Sequence, residues 1–391
     1  MRPLTAHRPK VMLPVAGKPL LEHLVDRAIE AGFDDFLFVT HYEAEAVRKH
    51  FGNGRKWKAK FDYVDQGAAG GTGHAVARVK GKVKGPFMLV YGDALFDTKD
   101  LGKFRDGSGL AIAGKRVEDA RPYGLLSVRK GDLAGLEEKP DEPKAGWVNA
   151  GAYRLDASIL ERCAKLSASP RGEFELTDAI AEAAAFQRVR VVPTPTWRDV
   201  GRPWDLLEAQ ADLLKGIKSR VEGRVDASAV LEGPVVVEKG AHVRHGTVIE
   251  GPCVIQAGAR VGPHAYLRPT TVVGRDCHVG ASVEIKNSLL MERAHVPHLS
   301  YVGDSILGQR VNLGAGTQIA NLKHSDRNVR VQLEDGEWVD TGRRKFGAIL
   351  GDDVKTGINA TLNVGCVLAQ GARVLPGRIV NGYVPAGAWV A

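Results

Sequence analysis

Little cysteine, no long apolar run and no clustered basic patch set the first limits on this chain. Only four cysteines occur in 391 residues, Cys163, Cys253, Cys277 and Cys366. None forms a C-x-x-C pair, which argues against a disulfide framework or a zinc-finger type of site. A reduced, cytoplasmic setting is the expectation that follows. No apolar stretch approaches the roughly 18 residues that a membrane span needs. The opening, MRPLTAHRPK, lacks the apolar h-region of a signal peptide. No nucleic-acid-binding motif is present and the basic residues are dispersed, so neither nucleic acid nor a membrane is expected as a partner. The net charge of +8 fits small anionic ligands: nucleotides, sugar phosphates or coenzyme A.

A length of 391 residues exceeds one ordinary core and predicts two domains. The second half is dominated by a repeat. Stepping by six from Val225 gives Leu231, Val237, Val243, Ile249, Ile255, Val261, Leu267, Val273, Val279 and Ile285. The phase then slips, resumes at Leu307, Leu313 and Ile319, and closes through Leu362, Leu368, Val374 and Val380. Each six-residue unit supplies one short strand and one turn, with its large aliphatic side chain pointing inward. A single coil cannot bury its apolar face, so coils stack into a solenoid. The period resembles the left-handed parallel β-helix of hexapeptide-repeat transferases.

The first half reads differently. Residues 19–31 carry apolar side chains at helical spacing, with Pro19 in the first turn and Gly32 as the stop. Apolar strands follow at 36–39, 61–64 and 88–91, with helices near 43–51 and 73–80. This alternation predicts an α/β fold with a doubly wound, mostly parallel sheet. A helix near 204–218 leads into the repeats. The expected domains are 1–217 and 218–391.

Several loops of the first half carry chemistry. RPKVMLPVAGKPLLEH puts Lys10 and Lys18 around a helix start, where phosphate binds well. QGAAGGTGHAV puts Gln66 ahead of a Gly-rich turn. VYGD sets Asp93 at the end of an apolar strand, and WRDVGRPWDLLEA sets Asp199 in a second loop. Two carboxylates converging on one Mg²⁺ is a common arrangement for a nucleoside triphosphate. Together with RPYG, EKP, NAGAY and GEFELTD, these motifs resemble the sugar-1-phosphate nucleotidylyltransferases across nearly all of residues 1–215. The resemblance implies that Lys10 contacts phosphate and that Gln66, Gly71 and Thr72 read the base. It implies that Asp93 and Asp199 hold the metal, and that Gly124, Glu138 and Asn149 hold the sugar. That family opens with a strand and a Gly-rich L-A-A-G-x-G-x-R-M loop, whereas this sequence starts at the Met of that motif, Met1. The expectation is a start lying upstream, and impaired uridylyl transfer in the chain as given.

The solenoid carries a second set: YLRPTTVVG, VEIKNSLL, HVPHLSYVGDSILGQRVNLGAG and TQIANLKH. This resembles the acetyltransferase half of the bifunctional enzymes that form UDP-N-acetylglucosamine. VDTGRRKFGAILGDDVKTGINATLNVG is similar to their archaeal branch. An amino group that attacks the thioester of acetyl-CoA must lose a proton, and a neutral histidine can accept it. The resemblance assigns that role to His298. It implies that Arg268 and Lys286 hold the sugar phosphate, that Tyr301 and Asn312 orient the sugar, and that Asn321 holds acceptor and acetyl group together. Arg327 and Arg330 stand where the family often has basic residues. A histidine in a β-helix is usually an ordinary turn residue, and His295 with His298 has no third ligand for a metal. The matched spacing of the other residues is what favours catalysis.

The implied function is synthesis of UDP-N-acetylglucosamine: acetyl transfer to glucosamine-1-phosphate, then uridylyl transfer from UTP, by a homotrimer. Three alternatives stay open on sequence alone. One is an acetyltransferase with an inactive or regulatory first domain. Another is an enzyme like glucose-1-phosphate thymidylyltransferase. The third is a non-catalytic two-domain regulatory subunit.

Overall fold

The computed structural model describes residues 1–67, 70–169 and 172–391; Ala68 and Ala69 of the expected Gly-rich turn lie outside them. The chain divides into two compact units. One holds Arg8–Met12 and Leu20–Asp199, the other Met1–His7, Leu13–Pro19 and Val200–Ala391. Residues from Val200 onward, helix 205–214 included, pack with the solenoid.

In the first unit the helices are α1 (Leu20–Glu30), α2 (Ala44–Phe51), α3 (Gly71–Ala77), α4 (Thr98–Arg105), α5 (Ala157–Cys163) and α6 (Leu176–Ala184). Strands Asp35–Thr40 and Lys60–Asp65 pair in parallel. A six-stranded sheet runs Phe87–Val90, Gly146–Leu155, Leu110–Val117, Val189–Pro193, Asp132–Glu138, Gly124–Arg129. Within it only Leu110–Val117 and Val189–Pro193 pair in parallel; the Gly146–Leu155 strand is antiparallel to its neighbours. The expected α/β class is present, but the sheet is mixed rather than mostly parallel. The reason is local. Gly124–Arg129 turns back through Lys130 and Gly131, both at positive φ, into Asp132–Glu138, and a short connection of this kind joins antiparallel strands only.

The second unit is a parallel β-helix with three faces. The aliphatic residues of the six-residue repeat form its interior: Val237, Val243, Ile249, Ile255, Val261, Leu267 and their successors are fully buried. Early coils repeat every eighteen residues, as in Val237 over Ile255 over Val273. The phase slip has a simple cause. Val273 stacks on Leu290 and Leu290 on Leu307, so these coils are one residue shorter while the interior ladder continues unbroken. Leu307 then stacks on Leu350 and Ile319 on Leu362. The intervening residues 321–346 form an insertion with a hairpin, Arg330–Gln332 against Trp338–Asp340.

One face is apolar on its outside too. Val254, Val272, Leu289, Ile306, Ile349 and Val367 form an outer row that is buried although it alternates with the interior ladder. The row is covered by the chain itself. Helix α7 (Asp205–Leu214) buries Leu206, Leu207 and Leu214, and the 13–19 hairpin buries Leu13 and Val15. Gln210 donates to the carbonyls of Thr270 and Ser288, and Gln256 donates to Gly17 O. Each large side chain so buried contributes about 1.5–3 kcal/mol.

Candidate active sites

In the first unit the strand ends gather most of the residues singled out above. The Lys10 ammonium lies 2.7 Å from Asp93 Oδ2. Asp199 pairs in register with Ala94, and Asp93 sits in the turn just before that residue, so the two carboxylates lie one residue apart in register. Gly124 pairs with Glu138. A Cβ on Gly124 would stand 3.0 Å from Glu138 Oε2 and 3.6 Å from Asn149 Cβ, so these three converge. Gln66 Nε2 donates to Gly71 O, and Thr72 Oγ1 accepts from Leu176 N. Gly71 and Thr72 thus pack on the 172–176 segment, where a Cβ at Gly71 would come within 2.7 Å of Phe174 O. Lys18 belongs to the 13–19 hairpin, in the other unit from Lys10.

Two tyrosines that sequence reasoning passed over tie these parts together. Tyr153 donates to Tyr91, O to O 3.1 Å, and its oxygen accepts from Asn149 Nδ2 at 2.6 Å. Tyr91 also meets the Thr72 hydroxyl, and burial pushes its phenol up to about 12. They sit inside two quoted motifs, VYGD and NAGAY, which was the available signal.

In the second unit, Tyr266, Glu284, Tyr301 and Gln318 stack down the outside of one face. Lys286 stacks over Gly303 at the end of that face, and Arg268 N bonds to Ile285 O in the register that sets Arg268 over Lys286. Arg268 pairs with Glu284 at 3.0 Å, and this hydrogen bond raises its already high pKa. The Arg268 Nε is buried with no partner among the described residues. Tyr301 accepts from Asn321 Nδ2 at 3.1 Å. Burial is the main cause that raises its phenol's pKa. Gly303 makes that contact possible, because a Cβ there would stand 2.5 Å from the Tyr301 hydroxyl and 2.6 Å from Asn321 Nδ2. Nearby, Glu208, Asp304, Gly342, Arg343, Arg344 and Lys345 line an open cavity of about 420 Å³. His298 ends the preceding strand of the same coil, with its ring exposed and its carbonyl held by Ser300 Oγ and Gly316 N.

A nucleotidyl transferase family model matches residues 1–216, and a GMPPB C-terminal domain model matches residues 249–384. The chain is 41% identical over 367 residues to the bifunctional protein GlmU of Methanocaldococcus jannaschii, covering 93% of this chain and 88% of that one. This chain belongs to the GlmU-type nucleotidyl transferase family. It is also 38% identical to the bifunctional sugar-1-phosphate nucleotidylyltransferase/acetyltransferase of Sulfurisphaera tokodaii, over 97% of this chain and 94% of the relative. Among solved structures, a Bacillus anthracis protein described as a glucose-1-phosphate thymidylyltransferase matches with a TM-score of 0.51. It is 25% identical and covers 56% of this chain and 92% of its own.

The remaining site residues of this GlmU-type chain are more scattered. Asn312 lies on the neighbouring face, stacked between His295 and Lys355. Arg327 is exposed on the insertion. Arg330 donates to Trp338 O across its own hairpin, at 2.7 Å. Among the described residues, no group of three or more His, Cys, Asp or Glu could hold a metal, and no helix is long and apolar enough to cross a membrane.

Proposed function

We propose that this protein forms UDP-N-acetylglucosamine in two steps on two domains, 1–217 and 218–391. The observation that carries the acetyl step is the row Arg268, Lys286, Tyr301 and Asn321 on one face, with His298 at the far end of the same coil. The phosphate of glucosamine-1-phosphate binds to Arg268 and Lys286 through charge-assisted hydrogen bonds. Tyr301 and Asn312 orient the sugar ring, and Asn321 holds the acceptor beside the acetyl group. His298 Nε2 or Nδ1 takes the proton as the amine nitrogen attacks the thioester carbon. The C–S bond then breaks and coenzyme A leaves as the thiol.

For uridylyl transfer, Asp93 and Asp199 would hold Mg²⁺, which neutralises charge on the triphosphate. Two carboxylates, Asp93 in a turn and Asp199 beside the strand that follows it, fit a hard cation whose other ligands come from the nucleotide and water. Lys10, now paired with Asp93, turns to phosphate when nucleotide binds. Gln66, Gly71 and Thr72 contact the base, while Gly124, Glu138 and Asn149 hold the sugar. We place the protein in the cytoplasm.

A homotrimer is the assembly this reading favours. One face of the solenoid is covered by α7 and the hairpin, while the other two expose large apolar side chains: Leu299, Ile358, Ile379 and Trp389. The test of the function is direct. Purified protein should release thiol from acetyl-CoA only when glucosamine-1-phosphate is present, and pyrophosphate from UTP with the acetylated product. Absence of sugar-dependent thiol release overturns the acetyl assignment.

A further inference from the structure

The solenoid corner beside Lys286 carries a carboxylate to which nothing above gives a role. Thr270, Asn287 and Asp304 occupy that corner in successive coils, all at positive φ (63°, 45° and 49°). Their side chains form a ladder. Thr270 Oγ1 donates to Asn287 Oδ1 at 2.6 Å, and Asn287 Nδ2 donates to Asp304 Oδ1 at 2.6 Å. Asp304 is the last rung, because in the next coil the corner gives way to the 321–346 insertion.

At that point the carboxylate takes on two further connections, and the backbone of the same residue two more. Asp304 Oδ2 accepts from Asn321 Nδ2 at 2.5 Å and from Lys286 Nζ at 3.4 Å. Its backbone donates to Lys286 O at 2.8 Å and accepts from Gly347 N at 2.9 Å. Asn321 and Gly347 are the two ends of the insertion, and Phe346 N bonds to Asn321 O between them. The side chain is 4% exposed. A buried carboxylate persists only where donors surround it. Here two of the donors are residues expected to hold the acceptor.

We propose that Asp304 is a positioning residue for acetyl transfer, acting through Asn321 and Lys286 by fixing the neck of the insertion. This rests on the acetyltransferase reading of the same face. With so little of it exposed, Asp304 acts through these neighbours. Its short bond aims the Asn321 amide at the Tyr301 hydroxyl, and its charge keeps the Lys286 ammonium at the corner. Asparagine at 304 keeps the shape but brings its own amide hydrogens against those of Asn287 or Asn321, so at least one donor loses its acceptor.

A double-mutant cycle tests this. Asp304→Asn should lower kcat/KM for acetyl transfer about 10- to 100-fold, the range for misplaced site groups. The same change made in an Asn321→Ala background should cost less than about 3-fold, since its route is already cut. Full additivity of the two substitutions would show a general structural role and overturn the proposal. If Asp304→Asn does not fold, Asp304→Glu takes its place in the cycle, keeping the charge but displacing it by one methylene. The same loss is expected there, and wild-type kinetics would overturn the proposal. A wild-type enzyme with no sugar-dependent thiol release is a different failure: it removes the acetyltransferase reading and this inference with it.

Discussion

His298 and Tyr153 are opposite cases at the scale of single residues. His298 is exposed at the end of its strand, so if it is the proposed base its replacement should remove chemistry and cost little stability. His298→Ala should lower acetyl transfer by at least about 10²-fold while thermal unfolding stays within roughly 0.5 kcal/mol of wild type. Wild-type turnover in a thiol-release assay would exclude it as the base. Tyr153 is fully buried and joins Asn149 to Tyr91. Tyr153→Phe takes the acceptor from Asn149 Nδ2 and leaves Tyr91 only its Thr72 contact, and should cost about 1–3 kcal/mol in denaturant unfolding. The shared face of Arg268, Lys286 and Tyr301 was legible because a step of one coil returns to the same face. Asp304 was not legible. An aspartate after glycine reads as a turn, and its importance arises only when a shortened coil and the insertion's ends meet there. The engagement of Arg330 with Trp338 O across its own hairpin was not legible either.

At the level of elements, the outer apolar row explains why α7 packs with the solenoid. A six-residue period reports one inward side chain per strand and says nothing of the outside. The signal was nonetheless present on one face, in Val235–Val237, Cys253–Ile255, Thr271–Val273, Ala348–Leu350 and Cys366–Leu368. Continuous apolar triplets mark strands buried on both sides. Leu206 of α7 is fully buried against this unit, so Leu206→Ala should cost about 2–5 kcal/mol, read as a lower denaturant midpoint. An unchanged midpoint would mean that the helix contributes nothing to the fold. On the neighbouring face the rings of His278 and His295 meet edge to face with centroids 6.2 Å apart. Burial, followed by the charges of His295, Arg260, His298 and Arg244, holds the His278 imidazole below its ordinary pKa. The unfolded chain therefore takes up this proton first as pH falls. Stability should decline below about pH 6.5, the unperturbed histidine value, and His278→Gln should flatten that decline. The same slope in the variant would assign it to another group.

For the whole molecule, the three-sided solenoid limits how copies can associate. One side is occupied by the chain's own helix and hairpin, which leaves two sides meeting at one corner. A closed ring needs two different patches on each protomer, each meeting the other on the next copy, and two adjacent faces of a triangular prism supply them for a ring of three. The side chains on those faces agree with this. Ile358 stands at the corner and Ile379 on the adjoining face, 56% and 66% exposed. Surface side chains of this kind have little effect on folding, so replacing them should change a protomer's stability by no more than about 0.5 kcal/mol. In the proposed trimer, Ile358→Glu combined with Ile379→Glu would place unpaired carboxylates in a desolvated contact, and the assembly should fall to monomers in light scattering at micromolar concentration. The acetyl site proposed for the same faces should fail with it. The groups proposed for uridylyl transfer, Lys10, Asp93 and Asp199, belong to the other unit, and UTP-dependent pyrophosphate release should stay at the wild-type level. A trimer that survives both substitutions would place the contact elsewhere. Monomers with full acetyl transfer would show that each solenoid completes its own site.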